Sequence, residues 1–406
     1  MEFKKKILSN GLSIIGEVNK LAKSAAVGFF VKTGSRDETK QINGVSHFLE
    51  HMLFKGTERL NAFEVSESFD RMGAQFNAST NEENTVFYSA VLPEYLEDTT
   101  RLWAELMRPA LRDEDFNIEK KVIKEEIAMY RDTPSFDVMD RCKVMHFDGH
   151  PCGNSVLGNV ESIDGLTAEQ MREYFVSRYA PNNMVLVCTG NFEWGKICRV
   201  VEDSCSKWEK QEVKRVIEQC NGSRKQGRVE KSNLALEHIC LMSHAASFQD
   251  RYRFAASLMA TIIGDDVGSR FFWQLVDKAL AEVAIMQFGP MDGTGAFYSY
   301  ICCSKENAMK VLDTVSDIFG ELSKSGVTEN ELEKAKNKTL SALVIKNELP
   351  MGRLVDLGFN WTYLGQYFTV EDDVNSIKAV TTDEIHLLIE KLKPGKFTQF
   401  SIGPAR

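Results

Sequence analysis

The 406-residue sequence predicts an α+β fold of two homologous domains, each a mostly antiparallel sheet packed with helices on one face. The length is about twice that of an ordinary domain. Short β-rich segments bounded by turns alternate with helical runs on both sides of a polar stretch. Finally, a segment of the first half recurs 214 residues later, from Ser162 to Ser376. These observations divide the chain into a first domain over residues 1–208, a linker over 209–228 and a homologous second domain over 229–406.

In the first half, Lys6 to Ile15 and Ala25 to Lys32 read as strands, the former broken by a turn at Asn10-Gly11. After a helical stretch, Phe76 to Ser79 and Thr85 to Val91 form two strands across the turn Asn81-Glu82-Glu83-Asn84, and helices run from about Glu94 to Arg131. Met184 to Thr189 is a short buried strand that ends at Gly190-Asn191. From about Lys207 to Val229 the chain is polar with few apolar anchors, which marks the linker. The repeat itself aligns Ser162-Ile163-Asp164-Gly165-Leu166-Thr167-Ala168-Glu169-Gln170 with Ser376-Ile377-Lys378-Ala379-Val380-Thr381-Thr382-Asp383-Glu384. Both contain Thr-x-x-Gln/Glu, the reciprocal capping pattern that starts a helix. The same offset carries Glu119 and Lys120 onto Glu333 and Lys334.

Composition narrows the function. The net charge of -9, from 49 basic and 58 acidic residues, offers no basic field for nucleic acid. No run approaches the apolar length of a membrane span, and the N-terminus lacks the apolar stretch of a secretory signal, so no membrane partner is expected. Nine scattered cysteines without a CxxC pair suit free thiols in a reducing compartment, and the expected location is cytoplasmic. The same spacing disfavours a thiolate zinc site.

The segment His47-Phe48-Leu49-Glu50-His51 carries the chemistry. Four residues on a helix advance one turn, about 6 Å, so His47 and His51 can present two imidazoles to one ion. Glu50 lies about 60° round from His47, with its carboxylate beside the same space. Neutral nitrogen and anionic oxygen suit zinc, and a carboxylate next to an open coordination position can act as general base. Two core histidines flanking a surface glutamate is the alternative. Farther on, Glu119 and Glu126 are seven apart and share a face of a helical stretch, although acidic residues on a solvated face are common.

His-Phe-Leu-Glu-His-Met-Leu-Phe-Lys-Gly-Thr resembles the inverted zinc motif of the pitrilysin, insulysin and mitochondrial processing peptidase family. Gly73-Ala74-Gln75-Phe76-Asn77-Ala78-Ser79-Thr80, Val122-Ile123-Lys124-Glu125-Glu126-Ile127, and His150-Pro151 with Gly158 are similar to further segments of that family. The resemblance implies one zinc per chain held by His47, His51 and Glu126, the last following His51 after 74 intervening residues. It implies a supporting catalytic role for Glu119, in ordering the reacting water or its hydrogen bonds. It also implies hydrolysis of peptides with Glu50 as base, and substrate added as a strand near Phe76, Asn77 and Ala78. The offset carries His47, Glu50, His51 and Glu126 onto Thr261, Gly264, Asp265 and Leu340, so the second domain is expected to be inactive.

One departure from the family stands out. Active relatives contribute an Arg and, seven residues on, a Tyr from the second half, where this chain has Asp277 and Ala284. Either a partner chain supplies the pair, residues such as Arg270 or Tyr300 substitute, or the substrates are restricted. A homodimer, or a heterodimer with a related chain carrying Arg and Tyr, is the expected assembly. Gly264-Asp265-Asp266-Val267-Gly268 is too acidic for a phosphate loop and reads as a turn before a helix.

Overall fold

The computed structural model describes residues 1–405. The first part of the chain forms β1 (Glu2–Ile7), β2 (Ser13–Val18), β3 (Ala25–Val31), α1 (Val45–Leu53), α2 (Ala62–Arg71), β4 (Gln75–Thr80) and β5 (Thr85–Val91). There follow α3 (Leu96–Leu106), α4 (Asp113–Asp132), α5 (Pro134–Phe147), α6 (Val160–Gly165), α7 (Ala168–Arg178), β6 (Met184–Gly190) and α8 (Trp194–Cys205). The later part contains β7 (Gln226–Glu230), β8 (Leu236–His244), α9 (Arg253–Gly264), β9 (Val283–Pro290), β10 (Gly295–Ser304), α10 (Ala308–Ser325) and α11 (Glu329–Glu348). It closes with α12 (Pro350–Leu364), α13 (Val370–Ala379), α14 (Thr382–Leu392) and β11 (Thr398–Gly403).

Apart from the additional edge strand β1 in the first, the two sheets share one topology. The first has strand order β1-β2-β6-β3-β5-β4 and the second β7-β11-β8-β10-β9. Each contains one parallel pair, β2 with β6 and β7 with β11, and its other pairs are antiparallel. The repeated capping boxes are formed as well: Thr167 Oγ1 accepts from the Gln170 N–H, and Thr381 Oγ1 from the Glu384 N–H, each at 3.2 Å. The first strand expectation, Lys6 to Ile15, is displaced. Its turn is real, with the Gly11 N–H donating to the Leu8 carbonyl, but the strands flank it as β1 and β2. The lysines of β1 suit its place at the sheet edge, where charge discourages further pairing.

β3 shows how the first sheet is buried. Ala25, Val27, Phe29 and Val31 pack on one face with Phe48 and Leu49 of α1 and Trp103 of α3. Ala26 and Phe30 pack on the other with Leu354 and Leu357 of α12. Strand alternation therefore feeds two cores, and a further helix closes the face opposite the main helical layer. The second sheet repeats this: Ile239 and Leu241 of β8 pack with α9, α10 and α14, whereas Cys240 and Met242 pack with Val138 and Cys142 of α5.

The compact units are therefore not the contiguous segments 1–208 and 229–406. One comprises Met1–Ile127, Asn154–Val216 and Val344–Phe368; the other comprises Ala128–Gly153, Ile217–Leu343 and the chain from Thr369 on. The physical reason is that α5 and α12 each bury their apolar face on the sheet formed by the other half of the sequence. The expected linker also divides. Arg215 forks onto Asp37 in the first unit, Ser223 bonds the Met145 and His146 backbone in the second, and residues 226–228 already belong to β7.

His146, in α5, is buried, with Nδ1 3.1 Å from Thr398 Oγ1. Burial pulls its imidazole down to about 4, and His244 adds to the effect. Between pH 6.5 and about 4 the unfolded chain thus binds a proton that the folded chain does not, so stability rises with pH across that window. Acidification is expected to remove about 3 kcal/mol through this group. Denaturant titrations at pH 7 and pH 4.5 should show a smaller difference for His146→Gln than for the parent.

Candidate metal centre

α1 begins at Gly44 and places Val45, Phe48, Leu49, Met52 and Leu53 in the core. That apolar stripe at i, i+3, i+4, i+7 and i+8 turns His47, Glu50 and His51 toward a different side. α4 buries Phe116, Ile123 and Ile127 in the same core. Its Phe116 ring stacks on Phe48, with centroids 4.7 Å apart and planes at 14°. This contact sets α4 against α1 and brings its carboxylates to the histidines.

His47 Nε2 lies 3.8 Å, and His51 Nε2 3.6 Å, from Glu126 Oε2. Those separations are too long for hydrogen bonds, and Glu126 Oε2 is buried without a hydrogen-bond partner. They are close to the ~3.3 Å spacing that three tetrahedral donors would have around an ion at ~2.0–2.1 Å. Among the described residues, these three form the group of His, Cys, Asp or Glu able to hold a metal. The donor set fits zinc.

Glu119 stands behind this triad. Its Oε1 lies 2.8 Å from His51 Nδ1, and its Oε2 meets Lys55 Nζ. A carboxylate on Nδ1 makes that nitrogen the donor and leaves Nε2 with its lone pair toward Glu126. Burial works to raise Glu119, but the His51 and Lys55 contacts outweigh it and hold the carboxyl below its ordinary value. For His51 burial works downward, yet the Glu119 hydrogen bond and the Glu126, Glu119 and Glu50 charges hold the imidazole above its ordinary value. His47 differs: burial, with His51 beside it, pulls it down to about 3 against the opposing Glu119 charge.

Glu50 is buried beside the histidines, and its Oε2 accepts from Thr80 Oγ1 at 2.5 Å. Burial raises its carboxyl, the Thr80 bond and His51 oppose that, and Glu126 adds to it. A raised carboxyl is better matched to taking a proton near neutral pH than an ordinary one.

The structure thus brings together His47, Glu50, His51, Glu119 and Glu126, and it changes the reading of Glu119, which touches His51 and acts through it. Glu119→Ala is expected to weaken zinc affinity about 10- to 100-fold, and Glu119→Gln, which can still accept from Nδ1, by less. Competition with a chromogenic chelator measures both. Thr80 and Lys55 were not anticipated as site residues; Thr80, at the end of β4, reaches Glu50 of α1 only through the tertiary fold.

The three substrate-side candidates separate. β4 is an edge strand, and its residues alternate outward and inward. Asn77 is exposed, and its Oδ1 accepts from the Ala78 N–H at 2.9 Å, which places that donor off the β5 ladder. Phe76 points inward and stacks on Phe69 at 4.1 Å, so its ring belongs to the core and only its backbone is available to a ligand. In the second unit, Asp277 is exposed, whereas Ala284 is buried in the core. The stretch 276–287 contains neither Arg nor Tyr, so the pair is absent there in either neighbouring register. The two candidate substitutes are engaged elsewhere: Arg270 forks onto Glu331 at 2.7 and 3.0 Å, and Tyr300 OH lies 2.8 Å from His238 Nδ1.

Known proteins resemble the chain over nearly its whole length. Residues 14–160 match the family described as Insulinase (Peptidase family M16), and residues 165–339 match Peptidase M16 inactive domain. The chain belongs to peptidase family M16. One similar protein, the uncharacterized zinc protease YmxG of Bacillus subtilis, is 29% identical over 399 residues, covering 98% of this chain and 97% of its own. The crystal structure of a protease from Helicobacter pylori superposes with a TM-score of 0.91 at 20% identity, covering 99% of this chain and all of that one. The crystal structure of a peptidase M16 inactive domain from Pseudomonas fluorescens gives 0.92 at 19% identity, with 100% and 98% coverage. These two structures share the M16 fold. No helix among the described residues is long and apolar enough to cross a membrane.

Proposed function

We propose that this M16 chain is a zinc metallo-endopeptidase acting on peptides or unfolded polypeptide segments, with His47, His51 and Glu126 holding one zinc per chain. The observation that carries the reading is the convergence of two imidazole nitrogens and one unpartnered carboxylate oxygen beside a second, buried carboxylate, Glu50. Zinc bound there would act as a Lewis acid toward a peptide carbonyl and increase the acidity of water. Glu50 takes the proton of the attacking water, held toward it by Thr80, and returns it to the leaving amine. Glu119 keeps His51 in the Nδ1–H tautomer. The free edge of β4 receives the substrate as an added strand beside Phe76, Asn77 and Ala78.

A partner fits the absence of Arg and Tyr from 276–287, since Arg270 and Tyr300 are already paired within the second unit. A dimer with a related chain that supplies the pair is therefore part of the proposal. A second reading, a peptide-binding subunit without activity of its own, rests on the same absence. Zinc content of the purified chain, and chelator-sensitive cleavage of a mixed set of unstructured peptides, test the two. One zinc per chain with cleavage supports the peptidase; a metal-free, inert chain supports the second reading.

A further inference from the structure

We propose that Glu38 is a positioning residue for the metal site, holding the first turn of α1 so that His47 meets Glu126. The inference rests on the zinc reading above and starts from a gap in helix chemistry. A helix leaves its first backbone N–H groups without intrahelical partners, and a Ser, Asp or Asn at the N-cap ordinarily accepts from one. The N-cap of α1 is Gly44, at φ +95°, which has no side chain to do so. Nor is there room for one: a Cβ at that position would lie 2.7 Å from the Leu157 carbonyl oxygen.

Glu38 supplies the missing acceptor from outside the helix. Its Oε2 accepts from the Gly44 N–H at 2.7 Å and from Asn43 Nδ2 at 2.8 Å, and its Oε1 accepts from the Ser46 N–H at 2.7 Å. One carboxylate thereby spans the residues on either side of Val45, with its charge at the positive end of the helix. Ser46 is held from its other side, with Oγ 2.7 Å from Tyr174 OH, itself 2.7 Å from Thr33 Oγ1. Burial pushes the Glu38 carboxyl up to about 6 against the pull of these hydrogen bonds, so above that pH it is mainly ionised and purely an acceptor.

The next residue is His47, and the two ligand histidines are unequally supported. His51 is oriented through its Nδ1 by Glu119, whereas His47 Nδ1 is buried without a hydrogen-bond partner. The direction of the His47 ring therefore depends on packing and on the backbone that carries it. Glu38 fixes that backbone.

The test uses the full chain at pH 7.5, well below its thermal transition. Zinc affinity is measured by chelator competition for the parent, Glu38→Ala, Glu38→Gln and a control, Glu17→Gln. Glu17 is another buried carboxylate of the same unit, bound to Arg353 and Tyr367. Glu38→Ala should weaken zinc binding about 10- to 100-fold, and Glu38→Gln, which keeps one good acceptor, by less. Glu17→Gln should stay within about twofold of the parent despite its lost ion pair. Unchanged affinity in Glu38→Ala, or an equal fall in Glu17→Gln, overturns the proposal. Amide exchange in the metal-free protein separates its failure from that of the zinc reading: a parent chain that takes up no zinc defeats the latter. The positioning role still requires exchange of the Ser46 to Phe48 amides to quicken about tenfold in Glu38→Ala, and unchanged exchange overturns it.

Discussion

Glu50→Gln is expected to lower kcat for peptide hydrolysis by about 10²- to 10⁴-fold, equivalent to about 3–5 kcal/mol of barrier, while leaving zinc content at one per chain. The separation of these two readouts follows from the geometry. Glu50 contributes nothing to the triad of His47, His51 and Glu126, and its Oε2 bonds Thr80. Glutamine keeps the shape and an oxygen for that hydrogen bond but cannot take up the proton of the attacking water. Because burial disfavours the charged carboxylate, the neutral amide should not reduce thermal stability. Metal analysis, melting and initial rates on one peptide give all three quantities. Turnover within tenfold of the parent would remove Glu50 from the mechanism.

How much of this site could be read from sequence depends on whether the relevant geometry is local. His47, Glu50 and His51 share one helix, so their spacing alone states their relative directions. The Thr-x-x-Gln/Glu repeats at Thr167 and Thr381 are equally local, and both form capping boxes. Glu126 required the family resemblance, because only packing of α4 on α1 through Phe116 and Phe48 brings it to the histidines. Glu119 and Glu126, seven apart, share a face, but the sequence could not tell which would reach the metal and which would reach His51 Nδ1. Glu38 and Thr80 were hidden for the same reason, as each acts on α1 from another element.

The division of the fold was obscured by a related effect. The sequence places a proline, Pro134 and Pro350, at the first turn of α5 and of α12. It does not state which sheet their apolar faces will cover. A linear boundary near residue 208 therefore follows the repeat, whereas the packing exchanges these two helices between the units.

The second large effect is loss of the metal. His51→Ala is expected to weaken zinc binding by at least ~10³-fold and to abolish cleavage, because it leaves only His47 and Glu126 as protein ligands, a larger loss than the about 10- to 100-fold cost of removing a group that merely orients a ligand. The fold should survive. α1 is anchored by Val45, Phe48, Leu49, Met52 and Leu53, none of which touches the metal by its chemistry, and Glu119 keeps its contact with Lys55 when His51 is gone. Far-ultraviolet circular dichroism and a cooperative melt, compared with metal-free parent protein, measure this directly. A chain that melts with its metal would make zinc a structural element, as in small domains whose folding depends on it. Retained folding without zinc would instead mean that the protein builds the three ligand positions from its own core, leaving the ion free to serve the reaction.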